Sequence, residues 1–257
     1  MGPIAQPAAE NPWFRRYAPA PDADHRVVCF PHAGGSASYY LPVARALAPH
    51  ADVLAVQYPG RQDRYAETPL TRIGALADEV YENLLPWTDR PLTLFGHSMG
   101  ALVAFEVARR FGDDPDGPVR LYVSGRRAPS TYREESHHKL DDAGLVEEIR
   151  SLGGTDTSAL ENPELMALAL PALRADYEAV DTYSCPPDAT VPCPVTALVG
   201  HMDARATLPE VQVWRQHTTA AFDLKTYPGG HFYLTDHFPE ITALLAAHVT
   251  SQEASQL

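Results

Sequence analysis

The chain of 257 residues has 45% hydrophobic and 21% charged residues, which is ordinary for a soluble globular protein long enough to bury a large core. Its formal net charge of −13 argues against nucleic acid as a partner, because phosphate binding requires a basic surface, and it suits anionic membranes poorly. No apolar run approaches the ~18 residues of a membrane span, and residues 1–12 do not resemble a signal peptide, so we expect a cytoplasmic protein.

The cysteines and histidines show no spacing typical of a metal site. Cys29, Cys185 and Cys193 form no CxxC pair, and Cys29 lies in an apolar run where we expect a small core residue. His137 and His138 are adjacent in a segment that we interpret as a solvated face or loop. We therefore predict that the protein uses neither a metal nor a cofactor.

Short apolar runs alternate with segments of helical periodicity along most of the chain. The predicted strands are residues 26–30, 52–57, 92–95, 119–124 and 195–199, with 222–227 as a weaker candidate. The predicted helices among them are residues 40–47, 73–85 and 101–111. This alternation favours an α/β fold with a mostly parallel central sheet flanked by helices, in which functional groups collect at the carboxyl ends of the strands.

One segment interrupts the alternation. Residues 127–192 contain no strand pattern but do contain two helical stretches, residues 143–152 and 163–183. We predict a helical lid insertion here, with an ordinary pair of crossover helices as the alternative. The predicted units are an extended N-terminal arm over residues 1–24, a core over residues 25–126 and 193–250, the lid over residues 127–192, and a C-terminal tail over residues 251–257.

Residues 96–100 read GHSMG and match the pattern GxSxG, with Ser98 at the centre. The motif follows a predicted strand and opens a helix, which is the placement of a nucleophile elbow in an α/β-hydrolase. Glycines on both sides permit the sharp turn, and the helix N-terminus favours developing negative charge. We therefore predict Ser98 as the nucleophile; the alternative is a strand-to-helix turn with a capping serine.

A serine hydroxyl needs a neighbouring base, and in this fold the chain order is serine, acid, histidine. His231 follows a proline-glycine-glycine loop after the last strand candidate and is the predicted base, with His237 in reserve. Asp203 lies in the loop after the strand at residues 195–199 and is the predicted acid. It would hold the tautomer of the imidazole and stabilise its charged form.

The other late histidines and acids receive different interpretations. His217 and His248 are expected at the surface of helices. Asp176 and Asp181 are expected to be surface charges on the helical insertion, and Asp223 falls within the weak strand. None of these five residues is predicted to belong to the catalytic site.

Residues 31–35 read PHAGG and follow the first long strand. The loop is similar to the HGGG type of donor loop, so we predict an oxyanion hole formed by the backbone N–H of Ala33 and that of Met99, which follows the nucleophile. A glycine-rich phosphate loop is the alternative, but neither GxGxxG nor GK[ST] follows.

Five motifs extend over nearly the whole chain, from about residue 27 to residue 249. They are FPHAGGSA from residue 30, YPGRQDR from residue 58, GHSMGA from residue 96, LPALRADY from residue 170 and GGHF from residue 229. Together they resemble type II thioesterases, stand-alone α/β-hydrolases that accompany polyketide synthases and non-ribosomal peptide synthetases. The resemblance implies hydrolysis of acyl groups from the phosphopantetheine thioester of acyl or peptidyl carrier proteins, which clears stalled or aberrant units.

The resemblance also implies roles for the site residues. Ser98 would attack the thioester carbonyl, His231 would act as base and then as acid, and Asp203 would orient His231. A carrier protein is usually acidic, as this chain is, so docking would either use a local basic patch or be weak. The candidates for that patch are Arg61, Arg64, Arg126, Arg127 and Arg133. The alternative is that these arginines are scattered partners in salt bridges.

Three other functions remain open at this point. One is a general carboxylesterase or lipase-like serine hydrolase with the same triad, and another is a chain-releasing thioesterase that cyclises its product. The third is a catalytically silent binding module with the hydrolase fold. The sequence leaves the acyl length, the pathway and the oligomeric state undetermined.

Overall fold

The computed structural model describes residues 11–48, 50–153 and 162–255. Its strands are β1 (Phe14–Arg15), β2 (Arg26–Phe30), β3 (Asp52–Val56), β4 (Leu92–His97), β5 (Pro118–Ser124), β6 (Val195–Gly200) and β7 (Phe222–Tyr227). They form one sheet in the order β1-β3-β2-β4-β5-β6-β7. Strands β2 to β7 pair in parallel, and β1 pairs antiparallel with β3. The prediction of a mostly parallel α/β sheet is confirmed.

Helices cover both faces of this sheet. They are α1 (Leu41–Leu47), α2 (Ile73–Leu84), α3 (Met99–Phe111), α4 (Asp142–Leu152), α5 (Pro163–Asp181), α6 (Leu208–Gln212) and α7 (Phe238–Ser255). Apolar residues of α1 and α7 share one core cluster, and those of α2 and α3 share the other. Successive residues of β2 enter opposite clusters, because side chains alternate across a strand: Val27 packs with α1 and α7, and Val28 with α2 and α3.

The burial of the strands explains which of them the sequence predicts clearly. Every residue of β2 and β3 is buried, as expected for interior parallel strands covered on both faces. Strand β7 pairs only with β6 and is largely half-exposed, so its apolar pattern is weak. Each predicted strand and helix is present, with boundaries that differ by at most two residues.

The structure adds elements at both ends of the described chain. Strand β1 lies within the segment predicted as an N-terminal arm, and the neighbouring Trp13 is buried in the core. Two residues are too few for a strand pattern to be visible in the sequence. At the other end, α7 continues to Ser255, past the predicted core boundary at residue 250. Residues 1–10 of the predicted arm lie outside the described residues.

Helices α4 and α5 occupy the insertion between β5 and β6. Leu145 of α4 packs with Leu173 and Tyr177 of α5 in a small cluster that also contacts Ala33. The insertion therefore lies against the glycine-rich loop after β2. None of the helices in the described residues is long and apolar enough to cross a membrane.

Candidate active site

Ser98 lies in a strained turn between β4 and α3. Its backbone has φ 55° and ψ −116°, a conformation that residues other than glycine rarely adopt. A Cβ at Gly96 would lie 2.2 Å from the carbonyl oxygen of Gly100, and a Cβ at Gly100 would lie 2.0 Å from that of Phe30. Both glycines of the motif are therefore sterically required for a turn that places the serine at the carboxyl edge of the sheet.

Three loops at this edge bring Ser98, Asp203 and His231 together. They follow β4, β6 and β7, respectively. His231 Nε2 lies 3.0 Å from Ser98 Oγ, and His231 Nδ1 lies 2.9 Å from Asp203 Oδ2. When Nδ1–H donates to the carboxylate, Nε2 keeps a lone pair that can accept the serine proton. The reserve candidate His237 instead lies 3.0 Å from Glu240.

The loops that carry the acid and the base are locked together by backbone contacts. The N–H of Met202 donates to the carbonyl oxygen of Gly229 at 3.0 Å. A Cβ at Gly200 would lie only 2.3 Å from the carbonyl oxygen of Gly230. The Asp203 side chain is fully buried, and its Oδ1 accepts the N–H of Arg205 at 2.8 Å. Both carboxylate oxygens of Asp203 are therefore bonded, which holds its plane toward the imidazole.

The predicted donor loop turns sharply beside the nucleophile. Gly34 has φ +74°, and the N–H of Gly35 donates to the carbonyl oxygen of His32 at 2.9 Å. The N–H of Gly34 donates to the carboxylate of Asp176 at 2.7 Å. These contacts use the N–H groups of Gly34 and Gly35, whereas the N–H of Ala33 has no acceptor among the residues that the structure describes. Met99 is the first residue of α3, where a helix N–H has no acceptor within the helix.

Two neutral histidines surround the proposed base. Burial lowers the pKa of His32 to about 3 and lowers the pKa of His97 well below its ordinary value. The ring of His97 lies 5.1 Å from that of His231, and its Nδ1 lies 3.0 Å from Ser124 Oγ. Because both rings are uncharged at neutral pH, neither opposes the positive charge that His231 would acquire. The sequence pointed to His97 only as the second residue of GxSxG.

A cavity that is open to solvent contains Ser98 and His231 in its wall. Helices α4 and α5 of the insertion supply part of the wall, including Glu148 and Tyr177. Ion pairs line much of the remainder: Arg127 lies 2.5 Å from Glu135, and Arg205 pairs with Glu148. Paired charges therefore line part of the space beside the nucleophile, and apolar atoms make up most of its exposed wall.

This site occurs in a chain whose residues 25–248 match the family model of the thioesterase domain. The chain belongs to the thioesterase family. It is 50% identical over 242 residues to the thioesterase PikA5 of Streptomyces venezuelae, covering 92% of this chain and 85% of that protein. It is 49% identical over 234 residues to a probable cadicidin biosynthesis thioesterase of Streptomyces griseus, covering 91% of this chain and 65%, just under two thirds, of that protein.

Solved structures agree with this assignment. The type II thioesterase BorB from the borrelidin biosynthetic cluster superposes with a TM-score of 0.88 at 47% sequence identity, covering 95% of this thioesterase and 100% of that chain. RedJ, a thioesterase from the prodiginine biosynthetic pathway in Streptomyces coelicolor, superposes with a TM-score of 0.82 at 36% sequence identity. The match covers 96% of this thioesterase and 91% of the RedJ chain. The predicted resemblance to type II thioesterases is confirmed.

The interpretation of two acids of the thioesterase as surface charges is wrong. Asp176 is buried and accepts hydrogen bonds from Arg61. The Asp181 side chain is also buried and lies 3.2 Å from His137 Nδ1 and 2.8 Å from His138 Nδ1. Neither is hydrogen-bonded to Ser98 or His231. Asp176 bonds the loops after β2 and β3, and Asp181 bonds histidines of the insertion; each carboxylate can be buried because it finds donors.

The expectation that two late histidines lie at the surface is also wrong. His217 is fully buried, with Nε2 2.7 Å from Ser130 Oγ and Nδ1 2.7 Å from the carbonyl oxygen of Ala189. His248 is buried edge-on against His25 and Tyr122. Their positions near helix ends concealed that the sheet and the insertion cover them.

The arginines proposed as a docking patch do not form a basic surface. Arg61 and Arg64 are buried, and Arg64 pairs with Glu67 at 2.5 Å. Arg127 lies in the wall of the cavity, and Arg133 lies 2.5 Å from Glu210. Arg126 also lines the cavity, where burial lowers its pKa to about 9. The interpretation of these residues as scattered salt-bridge partners holds for four of the five.

One group of side chains in the cavity wall has the composition of a metal site. Glu135, His137 and Asp181 each bring one potential ligand atom within 4.8 Å of the others. Arg205 Nη1, however, lies 2.9 Å from His137 Nε2 and 3.6 Å from Glu135 Oε1. Because a guanidinium already lies among these atoms, the group is better described as an ionic network than as a metal centre.

Proposed function

We propose that this thioesterase is a type II editing enzyme that hydrolyses acyl groups from the phosphopantetheine thioester of acyl or peptidyl carrier proteins. It would thereby clear stalled or aberrant units during polyketide or non-ribosomal peptide biosynthesis. The hydrogen-bonded chain from Ser98 through His231 to Asp203, placed in the wall of a cavity, carries the proposal. BorB, a type II thioesterase from the borrelidin biosynthetic cluster, and RedJ, a thioesterase from the prodiginine biosynthetic pathway, support the substrate class.

In the first half of the reaction, Ser98 Oγ attacks the thioester carbonyl while His231 Nε2 takes its proton. Asp203 stabilises the imidazolium through its bond to Nδ1. The tetrahedral oxyanion accepts hydrogen bonds from the N–H groups of Ala33 and Met99, and the N-terminus of α3 adds a favourable field. Collapse of this intermediate expels the pantetheine sulfur, which receives the proton from His231, and leaves an acyl ester on Ser98.

In the second half, water attacks the acyl ester while His231 acts again as the general base. The second oxyanion uses the same donors, and its collapse returns the proton to Ser98 Oγ and releases the carboxylic acid. No group beyond the chain's own residues and water enters these steps. The free enzyme is thereby regenerated.

The insertion is proposed to act as a lid over this reaction. Its predicted limits are residues 127–192 between the two parts of the core, residues 25–126 and 193–250. Support comes from α4 and α5, which contribute to the wall of the cavity that contains Ser98. The lid would set which acyl groups reach the serine, because its side chains form the space that an acyl chain must enter.

The partner would be a carrier protein that docks transiently, in the cytoplasm where such assembly lines work. Because the arginines once considered for a basic patch are buried or paired, the encounter would be weak and short-lived. A weak encounter suits an enzyme that must sample many carriers and act only on those that have stalled.

The test is an intact-mass assay of carrier proteins loaded with acetyl, propionyl and longer acyl groups. We expect loss of the acyl mass with the wild-type protein and none with the Ser98→Ala variant. An acyl-pantetheine thioester should also be hydrolysed faster than a simple alkyl ester of the same acid. Faster turnover of the alkyl ester would favour the carboxylesterase alternative, and hydrolysis by folded Ser98→Ala would reject the proposed mechanism.

A further inference from the structure

A buried ion pair joins the donor loop to helix α5. Arg61, in the loop after β3, donates from Nη1 to Asp176 Oδ2 at 2.6 Å and from Nη2 to Asp176 Oδ1 at 2.8 Å. The side chains are only 8% and 1% exposed. The bidentate geometry and the burial of both side chains make this a directional contact that solvent screens little.

The same pair forms hydrogen bonds with two neighbouring backbone groups of the donor loop. Asp176 Oδ2 accepts the N–H of Gly34 at 2.7 Å, and Arg61 Nη1 donates to the carbonyl oxygen of Gly35 at 3.1 Å. Both groups lie within two residues of Ala33, the proposed oxyanion donor. The Asp176 carboxylate thus accepts three hydrogen bonds, two from the guanidinium and one from the loop.

The donor loop needs such support because its own sequence provides little rigidity. Consecutive glycines at positions 34 and 35 allow many backbone conformations, and Gly34 has φ +74°. Helix α5 adds a steric contact to the hydrogen bond, since a Cβ at Gly34 would lie 2.7 Å from Leu173 Cδ1. Leu173 and Asp176 are one helical turn apart, so a single face of α5 holds the loop.

We propose that Arg61 and Asp176 are positioning residues of the oxyanion hole, and that the hole is complete only while α5 lies against the donor loop. The proposal rests on the proposed function, which assigns the Ala33 N–H as a donor. Neither side chain touches the substrate. Their effect is to fix the direction of that N–H, and they couple the position of the insertion to the chemical step.

The first experiment compares kcat and KM for an acyl-pantetheine thioester in Asp176→Asn, Asp176→Ala and Arg61→Lys. We expect kcat to fall roughly 10- to 100-fold, less than or equal to the loss of one oxyanion donor, while KM changes less than about threefold. Arg64→Met is the matched control, because it removes an equally buried guanidinium from the same loop without touching Gly34 or Gly35. It should retain kcat within about twofold.

A second measurement separates positioning from general damage to the fold. A trifluoromethyl ketone analogue of the substrate forms a tetrahedral oxyanion with Ser98, whereas a thioether analogue without the carbonyl does not. In the Asp176 and Arg61 variants we expect the ketone to bind more weakly by about the same factor as kcat falls. Binding of the thioether should be unchanged, and labelling by a fluorophosphonate should count the same number of competent serines.

Two results would overturn the proposal: kcat within about twofold of the wild type in Asp176→Asn, or equal weakening of the ketone and the thioether. If Asp176→Ala fails to fold, the kinetics of Asp176→Asn and Arg61→Lys test the proposal, since each substitution keeps the approximate size of the side chain and part of its hydrogen bonding. Absence of Ser98-dependent hydrolysis by the wild-type protein would instead reject the proposed function. Normal wild-type turnover with unaffected variants rejects only the role of the ion pair.

Discussion

The catalytic edge of the sheet and the helical insertion hold their functional side chains by different means. At the edge, backbone meets backbone: Gly96, Gly100 and Gly200 have no room for a side chain, and short loops fix Ser98, Asp203 and His231. Helices α4 and α5 are instead joined to the core by ion pairs, such as those of Glu148 with Arg205 and of Asp176 with Arg61. A steric contact between backbone groups excludes every side chain at that position, whereas an ion pair can be changed one side chain at a time. The geometry of Ser98, Asp203 and His231 therefore depends on backbone packing in the core, and the position of the insertion depends on charged side-chain pairs.

Of the changes at the catalytic edge, replacing the nucleophile should lower kcat the most. Ser98→Ala should lower kcat by at least about 10⁴-fold, because no other group supplies the attacking oxygen. Ser98→Gly should lose as much activity but be about 1 kcal/mol more stable than Ser98→Ala, since glycine adopts positive φ without strain. Turnover and urea unfolding measure both effects. Equal stability of the two variants would show that the turn stores no strain.

A pair of buried acids tests whether only the edge carries the chemistry. Asp203→Asn should lower kcat by about 10⁴-fold, because the amide favours the wrong tautomer of His231. Asp181→Asn removes an acid from the insertion that is equally hidden from solvent, and kcat should stay within about tenfold of the wild type. Steady-state kinetics at saturating thioester check both variants. Comparable losses in kcat for the two variants would contradict the distinction between the catalytic edge and the insertion.

Two glycines test the same contrast through stability. Gly100→Ala should lower the free energy of unfolding by about 3 kcal/mol or more, since the new Cβ would meet the Phe30 backbone. Gly153, at the end of α4, also has positive φ but nothing within 4 Å of an added Cβ. Gly153→Ala should therefore cost only about 1 kcal/mol, from backbone strain. Chemical denaturation gives both values, and a Gly100→Ala cost no larger than that of Gly153→Ala would contradict the steric account.

The smallest expected effect concerns acid stability of the core. Burial lowers the pKa of both His25 and His248 to about 4, whereas an unfolded histidine titrates near 6.5. The unfolded state therefore binds more protons below pH 6.5, and the stability contributed by the neutral histidines is lost as pH falls toward 4. His248→Leu should make this loss shallower, by at most about 1.4 kcal/mol per pH unit. Denaturation midpoints from pH 7 to pH 4 check the slope; an unchanged slope would mean that His248 does not contribute.

Local patterns made much of the fold and of the triad predictable. The strands are apolar runs, the turn at Ser98 requires glycine on both sides, and the loops after β6 and β7 follow from the strands before them. Since parallel strands end at one edge, Asp203 and His231 could be expected to meet Ser98 from chain order alone. Strand β1 is not predicted, because two residues are too few to show a period.

The sequence by itself determined the parallel sheet, the elbow and the residues at its edge, because strand pattern and turn chemistry act over a few neighbouring residues. Only the tertiary structure decided which charges are buried. The sequence suggests Arg61 for a docking surface and Asp176 as a surface charge, yet the two pair across 115 positions of sequence. Whether a charge can leave water depends on a partner that folding brings to it, and no local pattern records that partner.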